Sequence, residues 1–190
     1  MAVAPRHQLF IARHGETEWN RVGRWQGQAD PPLNGLGRRQ ARELAERLSG
    51  DGIVAVYSSD LRRASGTARV VAERLGLDVV EDPELREIDV GSWSGLTRAE
   101  VQARFPDGFA RWQAGEIGHD GETREQLTDR VVSAVERIAR AHPGQTVVAV
   151  THGGAIRAVR RHVAGDPGAF VENGATVGLT LLEGVMVLDP

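Results

Sequence analysis

The stretch Leu9-Phe10-Ile11-Ala12-Arg13-His14-Gly15-Glu16-Thr17 joins an apolar run to an arginine, a histidine and a glycine. The apolar run predicts a buried strand, and the glycine lets the backbone turn directly after it. In open α/β sheets, ligands bind beyond the carboxyl ends of the strands, where Arg13 and His14 are expected. A guanidinium matches phosphate oxygens, and a neutral imidazole is a competent nucleophile. The stretch therefore predicts a strand end that can handle a phosphate group.

Strand and helix patterns alternate along the rest of the chain. Buried strands are predicted at residues 7–13, 53–57 and 146–150, and a hairpin turning at Glu183-Gly184 is predicted at residues 176–187. Helices are predicted at residues 36–48, 61–75 with Asp60 as N-cap, 98–105 with Pro106 as the stop, 123–141 and 155–163. This order predicts an α/β fold: a three-layer α/β/α sandwich with a mostly parallel central sheet. Residues 82–121 are predicted to form a small lid of loops and a short helix over its carboxyl edge, within a single domain covering residues 1–190.

Composition excludes several kinds of chemistry. The 190 residues include no cysteine, which excludes disulfides, zinc ribbons, iron–sulfur clusters and thiol catalysis. All 23 basic residues are arginine, so a P-loop lysine and Schiff-base chemistry are also excluded. The net charge of −3 argues against a nucleic-acid partner. With no signal peptide and no membrane-length apolar run, we expect a cytoplasmic protein without a membrane partner.

Two further strand ends carry polar residues of the same kind. In Ser59-Asp60-Leu61-Arg62-Arg63-Ala64, we expect Arg62 to face water and Arg63, about 100° further round the helix, to face the strand end. Thr151-His152-Gly153-Gly154 repeats the pattern of a histidine followed by glycine, at the start of a predicted helix. Backbone amides at such a helix start bind anions. These residues predict the opposite wall of the same pocket.

Loops supply the remaining candidates. Glu87 and Asp89 lie in the loop-like segment 85–95, where either is a catalytic candidate or an ordinary surface acid. Asn20 and Gln26 offer neutral donors to phosphate or substrate oxygens. His119 is a candidate substrate contact, whereas the other scattered histidines are interpreted as surface or capping residues: His7, His142 and His162. No metal-binding motif is found.

Together these motifs resemble the histidine phosphatase superfamily, in its phosphoglycerate mutase-like branch. The resemblance follows the chain in one order and rests on Arg13-His14-Gly15-Glu16-Thr17 with Trp19-Asn20, Ser59-Asp60-Leu61 with Arg63-Ala64, Leu85-Arg86-Glu87, Gly91 with Trp93 and Gly95, and His152-Gly153-Gly154. It implies that His14 is a nucleophile that becomes phosphohistidine, and that Glu87 donates and accepts the proton. It also implies a phosphoryl pocket of Arg13, Arg63 and His152, and substrate contacts at Thr17, Asn20, Gln26, Gly27 and Gly153.

The resemblance further implies an enzyme without metal or cofactor, and a homodimer. We expect a phosphoric monoester hydrolase of the histidine acid type, acting on a small phosphorylated metabolite. A phosphoglycerate mutase is the nearest alternative, but the segment after Glu87 lacks the basic cluster that mutases show there. A phosphoprotein phosphatase and an inactive binding module are the remaining alternatives.

Overall fold

The computed structural model describes residues 9–182 and 185–189, which form one six-stranded sheet and seven α-helices. The strands are β1 (Leu9–Arg13), β2 (Ile53–Ser58), β3 (Val79–Glu81), β4 (Thr146–Thr151), β5 (Thr176–Leu182) and β6 (Val185–Leu188). The helices are α1 (Glu18–Arg21), α2 (Gly35–Leu48), α3 (Arg62–Leu75), α4 (Arg98–Arg104), α5 (Pro106–Gln113), α6 (Arg124–Ala141) and α7 (Gly153–Ala164). Two short 3₁₀ helices are found at Pro83–Leu85 and Gly91–Trp93.

The sheet is mixed and mostly parallel, with strand order β3-β2-β4-β1-β5-β6. Strands β3, β2, β4 and β1 run parallel, whereas β5 pairs antiparallel with β1 and β6 antiparallel with β5. Because β1 and β4 are neighbours in register, Arg13 pairs with Thr151. The residues after these two strands, His14 and His152, are therefore brought to the same sheet edge.

Alternating side chains of the central strands bury both faces of the sheet. On β1, Leu9 and Ile11 belong to one apolar cluster with α6 and α7, whereas Ala12 belongs to a second cluster with α2 and α3. Strand β4 alternates in the same way, with Val147 in the first cluster and Val148 in the second. Each fully buried large aliphatic side chain contributes about 1.5–3 kcal/mol. The predicted three-layer α/β/α sandwich is confirmed.

One predicted helix boundary is wrong. Leu61, not Asp60, is the N-cap of α3, because the Asp60 carboxylate is paired with Arg86 and Asp30 binds the amide of Arg62 instead. The predicted end of the 98–105 helix before Pro106 is confirmed, since α4 ends at Arg104. Pro106 also begins α5, which was not predicted, and proline fits there because the first turn needs no N–H donor. The lid therefore holds two helices.

Other short elements were not predicted at all. Helix α1 is a single turn closed by a capping box between Thr17 and Asn20, and β3 is a three-residue edge strand. His7 and the turn at Glu183-Gly184 lie outside the described residues. Within the described part of the chain, no helix combines the length and apolar character needed to cross a membrane.

Candidate active site

A cavity of about 390 Å³ opens at the carboxyl ends of β1 and β4. Eight of the ten residues predicted for the site lie on its wall, namely Arg13, His14, Asn20, Gln26, Gly27, Arg63, Glu87 and Gly153. The other two, Thr17 and His152, are fully buried beside these residues. The cavity has the size of a small-molecule site.

His14 is held as a neutral imidazole with one nitrogen available. Its Nδ1 lies 2.7 Å from the carbonyl oxygen of Gly15, which can only accept, so Nδ1 carries the hydrogen and Nε2 keeps its lone pair. Burial lowers the pKa of His14 well below its usual value, and the charges of Arg63 and Arg13 lower it further. The side chain is 2% exposed. At neutral pH, Nε2 is therefore an uncharged nucleophile.

The backbone around His14 is fixed on several sides. The His14 amide donates to Thr151 at 3.0 Å, and the Gly15 amide donates to Oγ1 of Thr67 at 3.0 Å. Gly15 also packs directly on α2, where a Cβ atom would lie 2.3 Å from the carbonyl oxygen of Gly37. Glycine is thus required here by the close approach of two backbones.

Arg63 and Arg13 form the cationic base of the cavity. The terminal nitrogens of Arg63 donate to the carbonyls of Ala29 at 2.6 Å and Gly27 at 2.7 Å, and Nη1 of Arg13 donates to Val171 at 2.6 Å. Burial lowers the pKa of Arg63 to about 10 and also lowers that of Arg13, so both stay charged at neutral pH. As predicted, Arg63 is buried whereas Arg62 is exposed.

His152 completes this base from the next strand. Its ring centroid lies 5.1 Å from that of His14, and its Nε2 lies 2.9 Å from Oγ of Ser59. Because Oγ of Ser59 accepts from the amide of Leu61, its hydroxyl hydrogen is free to be donated to Nε2. Nδ1 of His152 is then the protonated nitrogen. Ser59 belongs to the Ser59-Asp60-Leu61 motif, but its sequence position alone does not predict this orienting role.

Three nitrogens in this base are buried and lack a hydrogen-bond partner among the described residues: Nε of Arg13, Nε of Arg63 and Nδ1 of His152. Most buried polar groups in folded proteins are hydrogen-bonded, so three unsatisfied donors around one histidine indicate a missing acceptor. A phosphoryl group offers several acceptor oxygens.

Glu87 faces His152's helix across the cavity mouth. Its Oε1 accepts from the amide of Ile88 and its Oε2 from the amide of Gly154, both at 2.9 Å. A Cβ atom on Gly154 would lie 2.2 Å from Oε1, so a larger residue here would displace the carboxyl group from this position. Asp89, the other acidic candidate, accepts from the amide of Gly91 and does not line the cavity.

Arg130 of α6 supports the backbone around Glu87, a role that no motif in the sequence predicts. Its guanidinium donates to the carbonyls of Arg86 at 3.0 Å and Glu87 at 3.4 Å, and it pairs with Glu122 at 2.7 Å. Glu122 in turn accepts from the amide of Asp89. The ion pair between Arg130 and Glu122 thus holds the segment that carries Glu87.

Thr17 orients the two amide side chains of the site and does not line the cavity. Its amide donates to Oδ1 of Asn20 at 3.1 Å, and its hydroxyl donates to Oε1 of Gln26 at 3.0 Å. The NH₂ groups of Asn20 and Gln26 are therefore left as donors for the cavity. The geometry gives Thr17 no contact with a ligand of its own.

His119 lies away from this cavity. It packs on Trp93, with ring centroids 5.6 Å apart, and lines a separate cavity of about 270 Å³ in the lid. The geometry does not support its expected contact with the substrate. Among the residues that the structure describes, no group of three or more histidine, aspartate or glutamate side chains could hold a metal ion.

Comparison with known proteins gives consistent matches over nearly the whole chain. The model of the histidine phosphatase superfamily (branch 1) matches residues 9–183. A metal-independent phosphoserine phosphatase of Arabidopsis thaliana is 43% identical over 158 residues, which are 80% of this chain and 66% of that protein's length. A probable phosphoglycerate mutase of Serratia proteamaculans is 40% identical over 172 residues, 87% of this chain and 78% of that protein.

A solved structure also matches this fold over nearly the whole length of both chains. The mycobacterial glucosyl-3-phosphoglycerate phosphatase, in a complex with VO3, superposes with a TM-score of 0.87 at 33% identity. The match covers 97% of this chain and 98% of that one.

Proposed function

The chain belongs to the histidine phosphatase superfamily, and from this premise we propose that it hydrolyses phosphomonoesters through a phosphohistidine on His14. Relatives named as phosphatases place it among the phosphomonoester hydrolases of small phosphorylated metabolites. The three unpartnered nitrogens of Arg13, Arg63 and His152 carry the proposal, because they surround the nucleophile where phosphoryl oxygens need donors.

In the first step, Nε2 of His14 attacks phosphorus in line with the ester oxygen. The N–P bond forms while the P–O bond to the leaving group breaks, and Glu87 gives its proton to the departing oxygen. Arg13 and Arg63 neutralise the negative charge on the equatorial oxygens, and neutral His152 donates a hydrogen bond to them from Nδ1; stabilising this charge is the main demand of phosphoryl transfer. These groups supply the charge without a metal ion or cofactor.

In the second step, the Glu87 carboxylate accepts a proton from water as the water oxygen attacks phosphorus. The new P–O bond forms, the P–N bond breaks, and inorganic phosphate leaves with His14 neutral again. The acid of the first step thus becomes the base of the second. Substrate contacts at Asn20, Gln26, Gly27 and Gly153 belong to the same proposal.

Trapping of the intermediate tests the function directly. With p-nitrophenyl phosphate the leaving group needs no proton, so Glu87→Gln should release p-nitrophenol in a burst equal to the enzyme concentration and then stall. Glutamine keeps the shape of Glu87 but cannot activate water. Rapid-quench assays with ³²P-labelled substrate and EDTA should show acid-labile, base-stable label on this variant.

His14→Ala is the matched control and should neither turn over substrate nor acquire label. Label on a residue other than His14, or near wild-type turnover by Glu87→Gln, would contradict the assignment.

The proposal also includes a cytoplasmic location and a homodimer. Cell fractionation tests the first, and sedimentation velocity of the purified protein tests the second, with a monomer at all concentrations contradicting it.

A phosphoglycerate mutase is the second candidate, because relatives such as the Serratia protein carry that name. A mutase returns the phosphoryl group to its product, whereas a phosphatase transfers it to water. With 3-phosphoglycerate as substrate, free phosphate indicates hydrolysis and 2-phosphoglycerate indicates the mutase reaction.

A further inference from the structure

Arg157 on α7 lines the mouth of the cavity with a charge that no side chain among the described residues neutralises. Its side chain is exposed, and it has no hydrogen bond or ion pair with the residues that the structure describes. It lies three residues after Gly154 and four after Gly153, so all three share one face of the helix. Helical side chains lean toward the helix N-terminus, which here is the reacting end of the cavity.

The other arginines of the cavity are already committed. Arg13 and Arg63 form its buried base beside His14. Arg24 donates to the carbonyl of Gly95 and pairs with Glu100 at 2.9 Å, so its charge is balanced within the protein. Glu87 is the one acidic side chain on the described wall, and it is used in proton transfer. A single uncompensated positive charge is therefore left at the leaving-group end.

The remaining wall limits which chemical groups a substrate can carry between the arginines of the base and Arg157. It is largely apolar, formed by side chains of the first loop, the lid and the segment after α7: Trp19, Trp25, Ile88, Val90, Trp112, Phe170 and Val171. Three residues of α-helix rise about 4.5 Å, so the backbone of Arg157 lies less than one turn of α7 beyond Gly154, whose amide binds Glu87. That spacing suits a short carbon chain.

We propose that Arg157 selects phosphomonoesters that carry a carboxylate two or three carbons from the ester oxygen. The inference rests on the proposed function, because it takes the phosphoryl group to lie at His14. The guanidinium fork then binds the carboxylate of the leaving group, a pairing that arginine makes with matched geometry. Phosphorylated short-chain acids become the substrate class, and neutral phosphorylated polyols become poor substrates.

Two substrates that differ only at the relevant group provide the test. In glycerol 3-phosphate, a CH₂OH group stands where 3-phosphoglycerate has its carboxylate, and both have an alkyl leaving oxygen. Wild-type kcat/KM, measured as phosphate release, should favour 3-phosphoglycerate by at least about 10-fold. Arg157→Gln should lower kcat/KM for 3-phosphoglycerate by about 10-fold and leave that for glycerol 3-phosphate within about twofold.

Two further variants separate recognition from net charge. Arg157→Lys keeps the positive charge without the fork and should restore part of the preference. Arg161→Gln makes the same charge change on the same helix, but Arg161 lines a groove against α6 with Arg124 and Asp129, away from the cavity. It should leave both substrates unaffected.

Equal wild-type use of the two substrates would overturn the inference, as would an equal loss on both in Arg157→Gln or an Arg161→Gln effect of the same size. Each of these outcomes leaves phosphomonoester hydrolysis at His14 intact. If neither substrate nor p-nitrophenyl phosphate released phosphate, the proposed function would fall, and the inference with it.

Discussion

At the scale of single residues, the site depends on keeping titratable groups in defined protonation states. Two histidines and two arginines share one buried cluster, in which each positive charge disfavours another. Protonation of His14 would add a third charge beside Arg13 and Arg63 and remove the nucleophilic lone pair. Burial and the arginines therefore act together to keep His14 neutral.

The neutral histidines should make the protein sensitive to mild acid. An unfolded histidine binds a proton below about pH 6.5, but His14 and His152 in the fold do not, because their pKa values are lowered. Below pH 6.5 the free energy of unfolding should then fall with pH, by about 1.4 kcal/mol per pH unit for each of the two. Above that pH these histidines contribute no pH dependence.

His14→Asn isolates this effect, because the asparagine amide can still donate to the carbonyl of Gly15. Urea denaturation between pH 6.5 and 5, in buffer without phosphate, should give the variant a slope smaller by about 1.4 kcal/mol per pH unit. Equal slopes in the two proteins would show that His14 does not stay neutral in the fold.

At the scale of elements, the loop that carries His14, the proposed nucleophile, is positioned by contact with helix α2, which contributes no residue to the proposed site. Gly37 in the first turn of α2 packs so closely that a Cβ atom would lie 2.0 Å from the carbonyl oxygen of Glu16. The neighbouring Gly35 in the same turn has nothing nearer than 4.0 Å. Helix α2 thus fixes the loop through backbone contact at one position.

Replacing these two glycines by alanine should therefore have opposite results. Gly37→Ala must displace the loop or the helix, and we expect a loss of about 1–3 kcal/mol in the free energy of unfolding. Turnover should fall at least about tenfold, because the displaced loop carries His14. Gly35→Ala should keep full turnover and equal or slightly higher stability. Urea denaturation and kcat measure both, and similar behaviour of the two variants would contradict the contact.

At the scale of the whole molecule, the lid has an apolar core of its own. Val90, Trp93, Val101 and Phe109 form a cluster separate from the two clusters that cover the sheet. The lid joins the loop after α1 by backbone hydrogen bonds between Trp25 and residues Gly95 and Leu96. The lid side of the cavity, which we propose contacts the leaving group, is thus less deeply anchored than the base proposed to hold the phosphoryl group.

Hydrogen exchange should reveal this difference in anchoring. Amides of α4 and α5 should exchange by local opening, at a lower free energy than amides of β1 and β4. Helix α6 is the control for helical structure, because it packs on the sheet and should be protected like the strands. Equal protection of α4, α5 and α6, measured by mass spectrometry, would show that the lid opens only with the whole domain.

The sequence alone was sufficient to predict the three-layer sandwich and most of the residues that line the cavity. Apolar runs such as Leu9–Arg13 are buried on both faces, so their position along the chain predicts a central strand. The carboxyl ends of parallel strands lie at one edge of the sheet, which is why the sequence predicts that Arg13, His14 and His152 lie close together. Helical geometry likewise predicts that Arg63, and not Arg62, faces the end of the strand.

Only the tertiary structure decided which polar groups are already used and which are free. The pairing of Asp60 with Arg86 and the support of Glu87 by Arg130 depend on segments that meet only in the fold. For the same reason, only the structure shows that three nitrogens of the base and the charge of Arg157 have no partner among the described residues. Local pattern determines where a side chain starts, but its partners are set by the packing of distant segments.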